Sequence, residues 1–242
     1  MKRFIVAFLV FALWFLVEMV QACPSPQTLE KDLKSLFGNQ PFKVVEVNPT
    51  EVKGICEVII ESRGQKKLTY VDESGKYLIV GRLIDIKARK DLTQSRATEL
   101  NRLSPEQMKE LEKLVAFTAG NKGPVVYLVT DPDCPHCKRA EKILLPLVKE
   151  GKIQVKVILM PLEAIHPEAK AKAISVICEK KGLEALISGY KGKQCEEGKK
   201  KVEAAMKTLP KLGIRATPTY IFSDGRVVSG VLEAERLLSL AR

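Results

Sequence analysis

Aromatic residues make up only 6% of the 242 residues, with one tryptophan and two histidines, and these scarcities remove classes of function. A formal net charge of +11 invites a nucleic-acid partner. Yet aromatic stacking residues are few and no groove-reading motif is present. Lysine and glutamate interleave, as in Glu106 to Lys113, and the longest basic run, Lys199 to Lys201, is short. The charge therefore reads as solvated surface, with at most a bias toward an anionic membrane face. No later segment offers the roughly 20 apolar residues that a membrane-spanning helix needs. Outside one C-x-x-C, the cysteines Cys23, Cys56, Cys178 and Cys195 include no pair at two-residue spacing, and His166 is the remaining histidine. A four-ligand zinc site lacks its second half, so no metal and no cofactor are expected.

What is present is Cys134-Pro135-His136-Cys137, which follows the apolar strand Val125 to Val129 and leads into a helical segment, Lys138 to Leu145. A C-x-x-C at a helix start sets its first sulfur beside unpaired backbone N–H groups and the positive end of the helix dipole. That is a setting for a nucleophilic sulfur, which Pro135 and His136 between the cysteines would tune.

Residues 1–22 read as an export signal, with Lys2 and Arg3 ahead of the apolar run Phe4 to Val17. Val20-Gln21-Ala22 suits ordinary cleavage. Cys23 follows at once, where a bacterial lipoprotein carries its lipid, although Gln21 suits that signal poorly. In an exported chain cysteines pair. A Cys178–Cys195 bridge would close a short loop and contribute about 3 kcal/mol by chain entropy. Cys23 is lipidated, bridged to Cys56 or free, and these alternatives stay open at the level of the sequence.

The element pattern predicts an α/β (α+β) chain with two domains. Residues 23–87 give a helix, Gln27 to Phe37, and strands Phe42 to Val47, Ile55 to Glu61, Lys67 to Val71 and Tyr77 to Ile86. So small a sheet leaves edges open, and pairing them across a two-fold axis predicts a homodimer. Residues 88–120 read as a polar linker, then a helix from Ser104-Pro105-Glu106-Gln107, a capping-box start, to about Phe117, packing lightly on one domain. Residues 121–242 follow the order of a thioredoxin fold: strand, C-x-x-C helix, strand Ile153 to Met160, helical insertion (Glu168 to Ser188, Lys199 to Leu212), strands Thr219 to Phe222 and Val227 to Ser229 joined at Asp224-Gly225, and a last helix, Glu233 to Ala241. Pro218, after Thr217 and just before a strand, is a candidate cis proline that would bring a backbone edge beside Cys134.

Four groups of residues together resemble the periplasmic disulfide isomerases of the DsbC/DsbG family: Asp72 to Tyr77 leading to Gly81 to Asp85, Thr130 to Cys137, Cys178 with Cys195, and Gly213-Ile214 through Thr217-Pro218. The resemblance implies a V-shaped homodimer whose N-terminal domains pair, an apolar cleft for misoxidised exported proteins, and a cis Thr217–Pro218 bond that hydrogen-bonds extended substrate backbone. It also implies a DsbD-type membrane reductant and a periplasmic location. Pro135-His136 resembles the oxidase DsbA instead, while Thr217 resembles the isomerases.

The expected chemistry is thiol–disulfide exchange in which Cys134, exposed, is the nucleophile and Cys137 resolves the mixed disulfide. Rival expectations on the same scaffold are a DsbA-like oxidase, a DsbG-like reductase of sulfenic acids, and a dimeric holdase chaperone without chemistry.

Overall fold

The computed structural model describes residues 23–38 and 40–242; the expected export signal lies outside them. None of the described helices is long and apolar enough to cross a membrane. The chain forms two compact units, one from residues 23–61 with Lys67–Gly81 and the other from Ser62–Lys66 with Arg82–Arg242.

In the first unit, helix α1 (Pro26–Phe37) starts at Ser25, whose hydroxyl accepts the Thr28 N–H at 3.2 Å. Its buried Leu29 and Leu33 pack on Val44, Val58 and Val71 of an antiparallel sheet, β1 (Lys43–Pro49), β2 (Ile55–Ser62), β3 (Gln65–Asp72) and β4 (Leu78–Ile79). The Glu30 carboxylate accepts the Val44 N–H at 2.9 Å, tying helix to strand. Cys23 is bonded to Cys56 of β2, so its sulfur is in a bridge and not available for a lipid thioether.

The single strand expected over Tyr77 to Ile86 is instead two fragments. Only Tyr70↔Ile79 and Val71↔Leu78 pair β3 with β4; beyond Gly81 the chain forms a separate ribbon, β5 (Ile84–Asp85) with β6 (Lys90–Asp91). The polar stretch expected as linker contains a helix, α2 (Leu92–Leu100), capped by the Asp91 carboxylate on the Gln94 N–H at 2.7 Å. It buries none of its residues, which is why its sequence lacks an apolar stripe.

The next helix, α3 (Pro105–Glu112), has the expected capping box: Ser104 Oγ accepts from the Gln107 N–H (3.3 Å) and Gln107 Oε1 accepts from the Ser104 N–H (2.8 Å). It ends five residues before Phe117, because Phe117–Ala119 (β7) pair antiparallel with Val155 to Val157 at the sheet edge. Nor does it pack lightly. Leu103, Leu111 and Leu114 sit in a core with Tyr127, Val129, Ile158 and Ile221. Ser104→Ala should therefore lower stability by about 1 kcal/mol in chemical denaturation, the usual worth of such a cap.

The sheet of the second unit runs β11-β10-β8-β9-β7, with β8 (Val125–Thr130), β9 (Gln154–Leu159), β10 (Thr219–Phe222) and β11 (Val227–Ser229). β8 and β9 are parallel, joined across α4 (Pro135–Lys149), and β10 runs antiparallel to β8. Alternation along β8 serves two cores. Val126 and Leu128 meet Ala140 and Leu144 of α4, while Tyr127 and Val129 meet the α3 side. The insertion after β9 carries α5 (Ala169–Cys178), α6 (Leu183–Ser188) and α7 (Glu196–Thr208), with Cys178 bonded to Cys195; a last helix, α8 (Ala234–Ala241), closes the chain. The β10–β11 hairpin turns at Gly225, where φ is 84° and an added Cβ would lie 2.3 Å from the Leu103 carbonyl oxygen. Both its backbone angle and its neighbour require glycine there.

Candidate active site

Cys134 is the N-cap of α4, with Pro135 in its first turn and its own carbonyl accepting the Lys138 N–H at 3.1 Å. Pro135 suits this place because it has no N–H to leave unpaired. The dipeptide Pro135-His136 is exposed, while both cysteines are free thiols turned inward. Here the structure corrects an expectation: Cys134 is buried, at 6% exposure, and Cys137 has none. The cover is the loop ahead of β10. Thr217–Pro218 is cis, and the Thr217 carbonyl oxygen stands 3.9 Å from Cys134 Sγ. Cys134, Pro135, His136, Cys137, Thr217 and Pro218 thus converge at one end of the sheet, and the Cys178–Cys195 bridge belongs to the helical insertion.

Further residues surround the motif. Asp131, fully buried, accepts the Asp133 N–H (2.7 Å) and Cys134 N–H (3.1 Å) on Oδ1 and the Leu162 N–H (2.7 Å) on Oδ2, which also faces His166 Nδ1 at 3.0 Å. One carboxylate holds both the turn before Cys134 and the loop after β9. Lys172 pairs with Asp133 at 2.5 Å.

Beneath the motif, the Asp131 N–H points at Cys137 Sγ (3.4 Å); the Thr130 and Thr217 hydroxyls lie close by, and buried Thr217 Oγ1 has no well-formed hydrogen bond. Burial pushes the Cys137 thiol up to about 12; those three donors pull the other way. One helical turn on, Glu141 is also fully buried. Thr130 Oγ1 lies 2.6 Å from its Oε1, and its Oε2 has no hydrogen-bond partner. Burial raises the Glu141 carboxyl to about 7, with Thr130 and Lys138 opposing and Asp131 adding to the rise. The Tyr220 hydroxyl, buried nearby, lies beside the Leu232 backbone without a well-formed hydrogen bond to it.

Glu141 escaped the sequence reading, and Thr130 entered it only within the run Thr130 to Cys137 that carries the family resemblance. A glutamate on the helix face shared with Ala140, Leu144 and Leu147 was the available signal, because a charge among apolar positions at helical spacing is seldom left in a core without a task. Among the described residues no group of three or more His, Cys, Asp or Glu side chains is placed to hold a metal ion.

A thioredoxin fold with two free cysteines at a helix start, covered by a cis-proline loop, defines a thiol–disulfide oxidoreductase. The family models agree: a disulfide bond isomerase N-terminal domain matches residues 20–94 and a thioredoxin-like domain matches residues 111–242. The chain belongs to the DsbC/DsbG family of thiol:disulfide interchange proteins. Among its relatives, a probable thiol:disulfide interchange protein DsbC of Bordetella avium is 25% identical over 82% of this chain and 69% of its own length. The thiol:disulfide interchange protein DsbG of Pseudomonas aeruginosa is 26% identical over 72% and 73%. Of solved structures, a disulfide interchange protein from Neisseria gonorrhoeae is similar at a TM-score of 0.44 and 28% identity, over 51% of this chain and 91% of that one.

Proposed function

We propose that this protein rearranges or reduces non-native disulfides in exported proteins, with Cys134 as nucleophile and Cys137 as resolving thiol. The supporting observation is the pair of free thiols at the α4 start, the outer one beside the Thr217 carbonyl. Cys134 attacks a substrate disulfide, forming a Cys134–substrate bond and releasing one substrate thiolate. A second substrate thiol then displaces Cys134, which completes an isomerisation, or Cys137 does, which completes a reduction. The Thr217 carbonyl offers an acceptor to a substrate backbone N–H laid beside the reacting sulfurs.

In this reading the protein works in the periplasm as a homodimer joined through its N-terminal sheet domain. Tyr77, Ile79 and Val80, at and beside the β4 edge, are exposed apolar residues that such pairing would cover. A DsbD-type membrane reductant keeps the Cys134–Cys137 pair reduced. A second reading is favoured by Pro135-His136: the inner dipeptide tunes reduction potential, and this one resembles an oxidase. Acid-trapping with thiol labelling in the native envelope separates the two. A largely reduced Cys134–Cys137 pair is expected; a largely oxidised one would make the protein an oxidase.

A further inference from the structure

We propose that the open edge of β11 and the groove beside it bind an extended, acidic segment of the client polypeptide whose disulfide is exchanged at Cys134. The inference rests on the exchange reading above and deepens it by giving the substrate chain a second place of contact.

β11 is the outermost strand of its sheet. The Phe222 N–H donates to the Arg226 carbonyl (3.0 Å) and the Gly230 N–H to the Pro218 carbonyl (2.9 Å), so Tyr220↔Val228, midway between them, is the pair that exchanges bonds. The N–H and C=O groups of Val227 and Ser229 therefore point away from β10, along an edge that a further strand can join. That edge borders a groove of about 1050 Å³ lined by β11, α2 and α8, as large as clefts that hold ligands, roughly 300–1,000 Å³. A smaller cavity of about 160 Å³ adjoins it at Val227, and Ser229, Gln94 and Thr98 line both.

The lining selects a chemistry. Its apolar floor comes from Val228, Leu232 and Leu240, which also pack on the core beneath. Its charges are five cations, Arg89, Lys90, Arg96, Arg226 and Arg236, against two carboxylates. Both carboxylates are already paired with cations that do not line the groove, Asp91 with Arg82 and Glu99 with Arg102. Arg226 is held by Asp224 and by the Leu240 carbonyl (2.7 Å). Arg89, Lys90 and Arg236 are exposed and form no ion pair among the described residues. An extended chain turns successive side chains to opposite sides, so acidic residues alternating with apolar ones would meet the basic rim and the apolar floor in turn.

The same edge leads to the redox site. Ser229 pairs with Thr219, and Gly230 bonds to Pro218 of the cis loop that covers Cys134. A strand added to β11 lies two strand spacings, about 10 Å, from β10, a span that about three extended residues cover. β11 runs toward the redox end of the sheet, so a client chain that leaves Cys134 and turns back along β11 pairs antiparallel, the more stable arrangement. A client held at both places stays near Cys134 after the first attack, which gives its other thiols time to displace that sulfur.

The probe is a fluorescent peptide, Val-Glu-Val-Asp-Val-Glu, used alone and with an N-terminal spacer of about three Gly/Ser residues preceded by a cysteine held as an aromatic disulfide. Fluorescence anisotropy with the intact protein should show binding of the cysteine-free peptide and none of a counterpart with lysine for each acid. Ser229→Pro removes the outward N–H without touching a bond to β10 and should weaken binding by about tenfold; Ser229→Ala keeps that N–H and should bind as the wild type does. Lys90→Glu combined with Arg236→Glu should also weaken binding by about tenfold, which keeps the test decisive where Ser229→Pro fails to fold. In stopped flow, the acidic tail should speed mixed-disulfide formation by Cys134 about tenfold over a tail-less peptide, and that ratio should fall to about one in the weakened variants. Absent wild-type binding, equal binding of the lysine peptide, or undiminished binding by Ser229→Pro or by the charge-reversed variant overturns the groove. Sedimentation with anionic lipid vesicles in place of peptide binding also overturns it and would assign the rim to a membrane. Binding of the cysteine-free peptide without any reaction of Cys134 overturns the exchange reading instead.

Discussion

Cys134→Ser should abolish reactivation of scrambled ribonuclease, while Cys137→Ser should accumulate substrate adducts that migrate as discrete bands in non-reducing electrophoresis. The two outcomes differ because the sulfurs occupy different places. Cys134 is the helix N-cap and faces the loop that would receive substrate, whereas Cys137 lies wholly inside. A serine hydroxyl at position 134 cannot form a mixed disulfide, so every later step is lost and turnover falls to background. With serine at 137 the first attack is untouched, and only a substrate thiol can free Cys134. Isomerisation is then partly kept and reduction is lost. Full reactivation by Cys134→Ser would sink the exchange mechanism. Suppression of aggregation that survives loss of both cysteines would show chaperone binding separate from chemistry.

The two free cysteines at the α4 start were legible because their signal is local: a C-x-x-C between an apolar strand and a helix needs only a dozen consecutive residues. The Asp224-Gly225 hairpin, the Ser104 capping box and the Cys178–Cys195 bridge were legible for the same reason or from composition. The errors fall where a distant partner decides. Phe117 to Ala119 continues a helical pattern, yet β9 offers unpaired backbone along its edge and takes these residues as a strand. Leu103, Leu111 and Leu114 look like one face of a connecting helix, and only the apolar underside of β8 and β10 turns that face into core. Cys134 was expected to be exposed because a nucleophile needs access, but the Thr217–Pro218 loop lies over it. Thr130 and Glu141 lie 11 residues apart, on a strand and a helix, and nothing in the sequence marks their contact.

Glu141 should also leave its signature in the pH dependence of stability. Its folded carboxyl titrates near 7 against an ordinary 4.5 because burial disfavours the charge. Below about 4.5 the folded and unfolded chains both carry this proton. Between about 4.5 and 7 only the folded chain does, so unfolding releases a proton and stability falls as pH rises. Above about 7 the loss is complete. Integrated over the shift, ionising this one group costs roughly 3 kcal/mol of folding free energy. Glu141→Gln cannot ionise, so the stability difference between wild type and variant, measured by urea denaturation at pH 5 and pH 8, should swing by about that amount in favour of the variant. Its amide leaves an N–H group without a partner where Oε2 now stands, which costs on the order of 1–3 kcal/mol at every pH. Only the swing, not the absolute difference at one pH, therefore reports the buried charge. A flat difference from pH 5 to 8 would mean that Glu141 does not titrate in this range. A full swing would mean that the fold tolerates an ionised Glu141 carboxylate, one helical turn beyond Cys137, above about pH 7 at a real cost to stability.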